Sequence, residues 1–91
     1  RINPNWDLAY GLLSEIESDK GNFEKALEYQ LKAFALCPDS PQNCWDLGLA
    51  YLKVKEKEKA RRYLMEAIRL YPQYLDNEDR LRIAREVGAV E

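Results

Sequence analysis

Three prolines lie 34 residues apart in this chain of 91 residues, at Pro4, Pro38 and Pro72. Leucine and alanine recur at the same spacing: Leu13 with Leu47 and Leu81, Ala26 with Ala60, and Ala33 with Ala67. A period of 34 residues with a proline closing each unit is typical of antiparallel helix pairs that stack into a solenoid. Each pair buries its apolar face only against its neighbours. The period therefore predicts an all-α solenoid, a class that usually binds proteins rather than catalysing reactions.

Composition limits the chain to one small folded domain. Hydrophobic residues make up 46% of it and charged residues 33%, with four glycines and four prolines, which fits a folded helical protein better than a disordered one. No apolar run approaches the roughly 18 residues that a membrane span needs. Arg1, with no apolar leader after it, indicates an excised piece or a processed form. We expect a soluble domain, and the cytoplasm as its location.

The chain lacks the residues that metal sites and acid–base catalysis usually require. It has no histidine and two cysteines, Cys37 and Cys44, which excludes an ordinary four-ligand zinc site. Unpaired thiols are favoured over a disulfide, because secreted disulfide scaffolds normally carry more cysteines. The sequence contains neither a Ser-His-Asp set nor a glycine-rich phosphate loop. It therefore predicts a protein that is not an enzyme and has no cofactor and no metal.

Helix boundaries in the first unit follow from apolar spacing and helix breakers. A helix is predicted over about residues 7–18, because apolar residues recur there at helical spacing and a polar break follows at 19–22. The second helix begins near Phe23. It ends before Pro38, which donates no helical hydrogen bond and disfavours helix at Cys37.

The second unit has clearer signals. Asp39 and Ser40 both offer side-chain acceptors for free amides and Pro41 suits the first turn, so a third helix is predicted to start there and run to about Val54. A charged turn at 55–57 leads to a fourth helix, and Pro72 closes the unit. A fifth helix is then predicted, capped by one of two residues, Asp76 or Asn77. Its outer face is polar, as in a solvated cap: Glu78, Arg82 and Arg85.

These residues resemble the tetratricopeptide repeat. The family pattern is an aromatic, two residues, Leu-Gly, two residues, Tyr, then Ala, three residues, an aromatic and a closing Pro. The second unit matches it with Leu47-Gly48, Tyr51, Ala60, Ala67 and Pro72, while Cys44 replaces the opening Trp and Leu64 the later aromatic. The first unit is looser: Ser14 and Glu17 stand where Gly and Tyr are expected, and Gln30 replaces the aromatic.

The resemblance implies a right-handed superhelix of antiparallel helix pairs, with five helices, in one domain over 1–91. Repeat 1 is assigned to 7–38, repeat 2 to 41–72 and a capping helix to 75–88. Residues 1–4, Arg-Ile-Asn-Pro, are expected to end a preceding repeat.

The resemblance also implies a partner site, because the first helix of each pair lines the concave surface of such arrays. The predicted groove residues follow from register with the repeated leucines. They are Leu8, Gly11, Leu12, Glu15 and Asp19 from the first helix, Gln42, Trp45, Asp46, Leu49 and Lys53 from the third, and Asp76, Asp79, Arg80 and Ile83 from the fifth.

Trp45 has two interpretations. It neighbours the position of the family's usual tryptophan, so helical geometry turns it toward the groove, where an exposed ring would anchor a partner. Alternatively, Trp45 packs on Leu12 or Ile83 within the solenoid. The sequence leaves both open.

The predicted groove is acidic on balance. Its carboxylates are Glu15, Asp19, Asp46, Asp76 and Asp79, against two basic residues, Lys53 and Arg80. We therefore expect a protein or peptide partner with basic and apolar residues, the alternative being that these carboxylates only solvate an exposed face. Clamping of chaperone C-terminal tails is not expected. Leu12 and Asp46 stand where that clamp has asparagine, and Asp76 stands where it has lysine.

A basic strip covers residues 53–62, with six basic and two acidic residues, a net of +4, while the other 81 residues sum to −6. Nucleic-acid sites usually need a broader basic surface with several phosphate contacts, so nucleic acid is not expected. Solvated residues, or a docking patch for an acidic partner, are the alternatives.

Three functions remain open, and the first is our prediction. It is a non-catalytic module that holds a peptide or helix of a partner protein in the concave groove. The second is a scaffold or self-assembly element, because Pro4 implies an earlier repeat and four aromatics leave apolar surface uncovered: Phe23, Tyr29, Tyr63 and Tyr71. The third is a docking domain that delivers substrate or partner to a larger enzyme.

Overall fold

The fold consists of two helix pairs followed by a short terminal segment. The structure, a computed structural model, describes residues 6–90. Its helices are α1 (Trp6–Asp19), α2 (Phe23–Leu36), α3 (Pro41–Lys53), α4 (Lys57–Leu70), a 3₁₀ helix (Pro72–Asp76) and α5 (Glu78–Glu86). No strand occurs in this part of the chain. The all-α fold with five α-helices is confirmed, while the predicted end of an earlier repeat, residues 1–4, lies outside the described residues.

Successive helices pack on one another to form the solenoid. α1 contacts α2, α2 contacts α3, and α3 contacts α4. Residues 20–22 and 54–56 connect the helices within each pair, and connections this short join antiparallel neighbours. Ser40 caps α3 as predicted, since its side chain accepts a hydrogen bond from the backbone N–H of Asn43 and Pro41 opens the helix.

The segment after the second pair differs from the prediction. The chain forms a 3₁₀ helix at Pro72–Asp76 that was not predicted, and α5 starts at Glu78, directly after Asn77, one of the two predicted caps. Asn77 caps α5 by accepting a hydrogen bond from the backbone N–H of Arg80. The 3₁₀ helix matters because it buries Tyr74 against the second pair.

The core is concentrated in the second pair. Leu47, Leu64, Ala60 and Ala67 are all 0% exposed. The register partners of Leu47 are less interior, since Leu13 is 39% exposed and Leu81 is half-buried. A repeated leucine is interior only where helix pairs cover both of its sides. The two cysteines, Cys37 and Cys44, are unpaired as expected.

Asn43 joins the two pairs through a buried polar contact. Its Nδ2 donates to the carbonyl oxygens of Ala33 at 3.3 Å and Cys37 at 3.2 Å, and lies 3.2 Å from Oδ2 of Asp7. Each of these carbonyls also accepts a backbone N–H, Ala33 from Cys37 and Cys37 from Ser40, so the contact mainly provides partners for the buried Asn43 amide. This contact fixes α3 relative to α1 and α2.

The turns inside the two pairs share one backbone conformation but not one residue. Gly21 and Lys55 are 34 residues apart and both have positive φ, +85° and +69°. A side chain in this left-handed region costs about 1–2 kcal/mol, whereas glycine adopts it freely. Lys55 therefore holds a strained position that repeat 1 gives to glycine.

Exchanging residue types at these turns is expected to have opposite effects. Lys55→Gly should raise the free energy of unfolding by about 0.5–1 kcal/mol, the relief of strain less the entropy that glycine adds to the unfolded chain. Gly21→Lys, the reverse exchange, should lower it by about 0.5–1 kcal/mol. Urea unfolding of the two variants measures both values, and changes of the same sign would contradict this account.

Candidate functional site

A cavity opens on the surface between α1, α2 and α3. Its volume is about 400 Å³, within the range of protein ligand pockets. Small and apolar residues form part of the wall: Gly11, Phe23, Ala26, Leu49 and Ala50. Polar and charged residues form the rest: Ser14, Glu15, Ser18, Asp19, Gln30, Gln42, Asp46 and Lys53.

Several residues of the predicted groove meet at this cavity. Seven of the fourteen predicted groove residues line it: Gly11, Glu15, Asp19, Gln42, Asp46, Leu49 and Lys53. They come from α1 and α3, the first helices of the two pairs. The cavity is therefore lined by predicted groove residues from both repeats.

The other predicted groove residues lie elsewhere. Leu12 is 62% exposed and is not part of the cavity wall. Asp79 is exposed and pairs with Arg82 on its own helix. Ile83 is half-buried against the core, and the Arg80 guanidinium lies 4.7 Å from the ring centre of Tyr74. The residues of α5 thus contribute to packing more than to the cavity.

The interpretation of Trp45 as an exposed anchor is wrong. Trp45 is 3% exposed and belongs to the core cluster. Its ring lies 5.4 Å from that of Tyr74, and the Arg80 guanidinium is 5.9 Å from its centre. The alternative of packing inside the solenoid is correct, with Tyr74 and Arg80 as the covering groups and Ile83 packed against the same cluster.

A chain of hydrogen bonds connects the terminal segment to the cavity. Tyr74 Oη donates to Gln42 Oε1 at 3.2 Å, and Gln42 Nε2 donates to Asp46 Oδ1 at 2.9 Å. Burial raises the pKa of the Asp46 carboxyl, and Glu15 adds to the rise, while the Gln42 hydrogen bond and the charge of Arg80 oppose it. Ionised Asp46 therefore lacks a full complement of stabilising partners.

Asp46 is expected to reduce stability as its carboxyl ionises. Since the folded state raises the Asp46 pKa, it keeps this proton to higher pH than the unfolded state does. The free energy of unfolding then falls as pH rises from about 4, the ordinary aspartate value, through the raised pKa. Asp46→Asn retains an acceptor for Gln42 and removes the ionisation. The variant should therefore be more stable than the wild type near pH 7, with little difference in acid.

Urea unfolding of both proteins at several pH values measures this difference. Subtracting the two pH profiles removes the contribution of the other carboxylates. A difference that does not grow with pH would contradict the assignment to Asp46. Asp79→Asn is the matched control, because that carboxylate is exposed.

Gln30 is the least satisfied residue of the cavity wall. It is 2% exposed, and its Nε2 has no hydrogen-bond partner among residues 6–90. In the second pair Leu64 takes the same register position and is 0% exposed. A buried amide without a partner costs about 1–3 kcal/mol, so Gln30 reduces the stability of the free protein.

Replacing this amide by an apolar side chain of the same shape is expected to stabilise the chain. Gln30→Met should raise the free energy of unfolding by about 1 kcal/mol, because it removes the unpartnered group with little change in volume. Gln73→Met, at an exposed position, is the control and should change little. Loss of stability in Gln30→Met would show that the amide has a partner in solution.

The groove prediction missed six residues that line the cavity: Ser14, Ser18, Phe23, Ala26, Gln30 and Ala50. Three of them, Phe23, Ala26 and Gln30, belong to α2, whereas the family pattern assigns the groove to first helices. The sequence set Gln30 apart, because a polar residue stands there where the family pattern has an aromatic one. Nothing in the sequence distinguished Phe23 from a core residue. In the structure the Lys53 ammonium lies 5.4 Å from the Phe23 ring centre, so this wall already accepts a cation.

The rest of the surface has fewer features that point to a ligand. The basic strip, 53–62, spans the end of α3, a turn and the start of α4, and Arg61 pairs there with Glu58. Among residues 6–90 no cluster of His, Cys, Asp and Glu is arranged to hold a metal ion. None of the described helices has the length and apolarity of a membrane span.

Comparison with known families finds a match for each of the two repeats. Two consecutive segments match a family described as the tetratricopeptide repeat, residues 8–40 and residues 41–74. The first match falls on the α1–α2 pair, and the second on α3, α4 and the start of the 3₁₀ helix. No curated protein matches the chain. Because the two matches together span most of the sequence and coincide with its helix pairs, the chain belongs to the tetratricopeptide repeat family.

Proposed function

We propose that this domain is a non-catalytic recognition module that holds a peptide or helix of a partner protein on the surface formed by α1 and α3. Tetratricopeptide repeats are generally protein–protein interaction modules, which supports the coarser part of the proposal. The observation that carries the finer part is the cavity between the two first helices, where both repeats contribute polar, charged and apolar groups.

The charges of this surface favour a partner segment with basic residues. Three carboxylates and one lysine line the cavity, Glu15, Asp19, Asp46 and Lys53, so its formal net charge is −2. None of the ion pairs formed within residues 6–90 involves them. Apolar walls beside Leu49 and Phe23 supply contact area, while the carboxylates speed the encounter with basic partners and disfavour acidic ones.

Site-specific photocrosslinking tests the location of the partner. A photoreactive residue at Lys53, an exposed position on the cavity wall, is expected to crosslink the partner in cells that contain the full-length protein. The control position is Met65, which is 48% exposed on α4 and outside the cavity. Crosslinks from Met65 and not from Lys53 would overturn the proposed groove. Crosslinks from neither position would do so as well.

A second candidate function is self-assembly through α1. Register-equivalent residues differ in exposure between the two first helices. On α3 they are buried: Asn43, Leu47 and Ala50. On α1 they are exposed and apolar: Ala9, Leu13 and Ile16. Leu8 and Leu12 extend the exposed face, at 61% and 62% exposed. A second copy of the chain would cover this face as the first repeat covers α3.

The aromatic residues first expected to leave apolar surface uncovered contribute less to this candidate. Phe23, Tyr29 and Tyr63 are half-buried, and Tyr71 remains 47% exposed. The uncovered apolar surface lies mainly on α1 instead. Self-assembly is therefore attributed to that helix.

Sedimentation of the isolated chain over a range of concentrations tests self-assembly. The wild type should show a concentration-dependent dimer, which the double variant Leu13→Glu and Ile16→Glu should lose. Leu31→Glu is the control, because Leu31 is exposed on α2 and its register partner, Met65, is exposed too. A wild type that stays monomeric at high concentration would contradict this candidate.

A further inference from the structure

Gln30 departs from the residue that packing alone would select. Its register partner in the second pair, Leu64, is 0% exposed. A leucine does not suit position 30, because Ser14 stands where repeat 2 has Gly48, and a Cβ at position 48 would lie 2.7 Å from Leu64 Cγ. Methionine is unbranched at Cγ, so it would avoid this contact without a polar group. Packing therefore explains the absence of a branch at position 30 but does not explain the amide.

The amide of Gln30 has a donor that nothing in the described chain uses. Gln30 lines the cavity and is 2% exposed, and its Nε2 has no hydrogen-bond partner among residues 6–90. Buried polar groups without a partner are rare in proteins, and departures from this rule are expected at functional sites. The last side-chain torsion of glutamine is soft, so Nε2 can turn to a guest in the cavity. A guest that satisfies Gln30 must therefore supply a hydrogen-bond acceptor.

The carboxylates of the same wall have acceptor capacity left over. One oxygen of Asp46 accepts from Gln42 Nε2 at 2.9 Å, and the other accepts no hydrogen bond within the described residues. Burial raises the pKa of the Asp46 carboxyl, and the charge of Glu15 adds to the rise, as expected for an ion with too few donors around it. A guest that satisfies this wall must therefore supply N–H donors as well as an acceptor.

We propose that this cavity binds the side-chain amide of an asparagine or glutamine of the partner protein. The carbonyl oxygen of the guest accepts the N–H of Gln30, and its NH₂ group donates to Asp46 and Glu15. A primary amide has an acceptor and two N–H donors in one plane. The groups that meet them come from three helices: Gln30 on α2, Glu15 on α1 and Asp46 on α3. The assignment deepens the proposed function and depends on it.

Other guest groups satisfy only part of this wall. Guanidinium and ammonium groups have no acceptor for the N–H of Gln30. A carboxylate has acceptors but no donor, and it would add negative charge to a cavity whose formal net charge is already −2. A hydroxyl has a single donor, which leaves one carboxylate without a partner. A backbone peptide unit is trans, so its C=O and N–H point in opposite directions and do not both face one wall.

Nuclear magnetic resonance with small probes tests the assignment on this chain. The probe is N-acetyl-glutamine N-methylamide, and its methionine analogue has the same two backbone amides without the side-chain amide. The glutamine probe should shift the side-chain NH₂ signals of Gln30 and the backbone signals of Gly11 and Ser18 until the site is saturated. It should also slow the exchange of the Gln30 NH₂ protons with water. The methionine and glutamate analogues should cause much smaller shifts.

Variants decide whether these wall residues hold the amide. Gln30→Met should weaken binding of the glutamine probe about fivefold, the effect of losing one hydrogen bond between neutral groups. Asp46→Asn should weaken it too, because its oxygen stays with Gln42 and its NH₂ group then faces the donors of the guest. Both variants are expected to be more stable than the wild type, so weaker binding would not reflect unfolding. The matched controls, Gln73→Met and Asp79→Asn, lie outside the cavity and should leave binding unchanged.

Three results would overturn the assignment. They are the absence of saturable shifts at the highest soluble probe concentration, equal shifts with the methionine analogue, and binding that Gln30→Met does not weaken. Failure of this assignment differs from failure of the proposed function. Partner crosslinks at Lys53 without selective binding of the glutamine probe would leave the groove in place and remove the amide. Crosslinks only at Met65 would remove the groove, and with it the partner amide, whatever the probe does.

Discussion

Trp45→Ala is expected to lower the free energy of unfolding by about 3–5 kcal/mol, as other truncations of buried tryptophan do. Trp45 is 3% exposed and contacts the ring of Tyr74 from the 3₁₀ helix. Its removal leaves a cavity between α3 and the terminal segment that neighbouring side chains cannot fill. For a domain of this size the loss is a large part of a total of about 5–15 kcal/mol.

Urea unfolding followed by circular dichroism measures this loss. The control is Trp6→Ala, because Trp6 is 46% exposed at the start of α1 and its truncation should cost much less. Similar losses in the two variants would contradict the burial of Trp45. Weaker partner binding by Trp45→Ala would accordingly reflect unfolding, so this variant is unsuitable as a test of the groove.

Gly48→Ala is expected to destabilise the chain by about 2 kcal/mol, although alanine is the better helix former. A Cβ at position 48 would lie 2.7 Å from Leu64 Cγ and Cδ2 and 3.1 Å from the Ala60 carbonyl oxygen. Leu64 is 0% exposed and has no free space to move into. α3 and α4 would have to separate, which would disrupt the packing of both.

Gly11→Ala is the matched control, because it makes the same change inside a helix without a close neighbour. A Cβ at Gly11 would have nothing within 4 Å, so the variant should gain about 1 kcal/mol from helix propensity alone. Thermal unfolding of the two variants should therefore shift in opposite directions. Shifts in the same direction would show that the Gly48 contact is not a constraint in solution.

The helix pairs were predictable because their determinants are local. The 34-residue period, the proline at each unit's end and the Ser40-Pro41 start depend on residues close in sequence. Gly48, which stands at the glycine position of the family pattern, is indeed a site of close helix contact. The number of cysteines was enough to expect the unpaired thiols that the structure shows.

The surroundings of Trp45 were not predictable in the same way. The groups that cover it, Tyr74 and Arg80, belong to the terminal segment, where the chain leaves the repeat and forms a 3₁₀ helix. Register with the earlier units gives no information about such a segment. The sequence showed Gln30 as a polar residue at an apolar position. Whether its amide has a hydrogen-bond partner, however, depends on neighbouring residues from three helices.

Burial is distributed unevenly between the two repeats, and this determines which helices unfold locally first. α1 contains one buried residue, Ser14, whereas α3 contains six. Amide hydrogen exchange should therefore be fastest in α1 and slowest in α3 and α4, since poorly buried segments open locally at low free energy. The cavity exists only while α1 is docked on α2 and α3. Ligand binding and the ordering of the amino-terminal helix are consequently one coupled equilibrium, and a bound segment would slow exchange in α1 far from its own contacts.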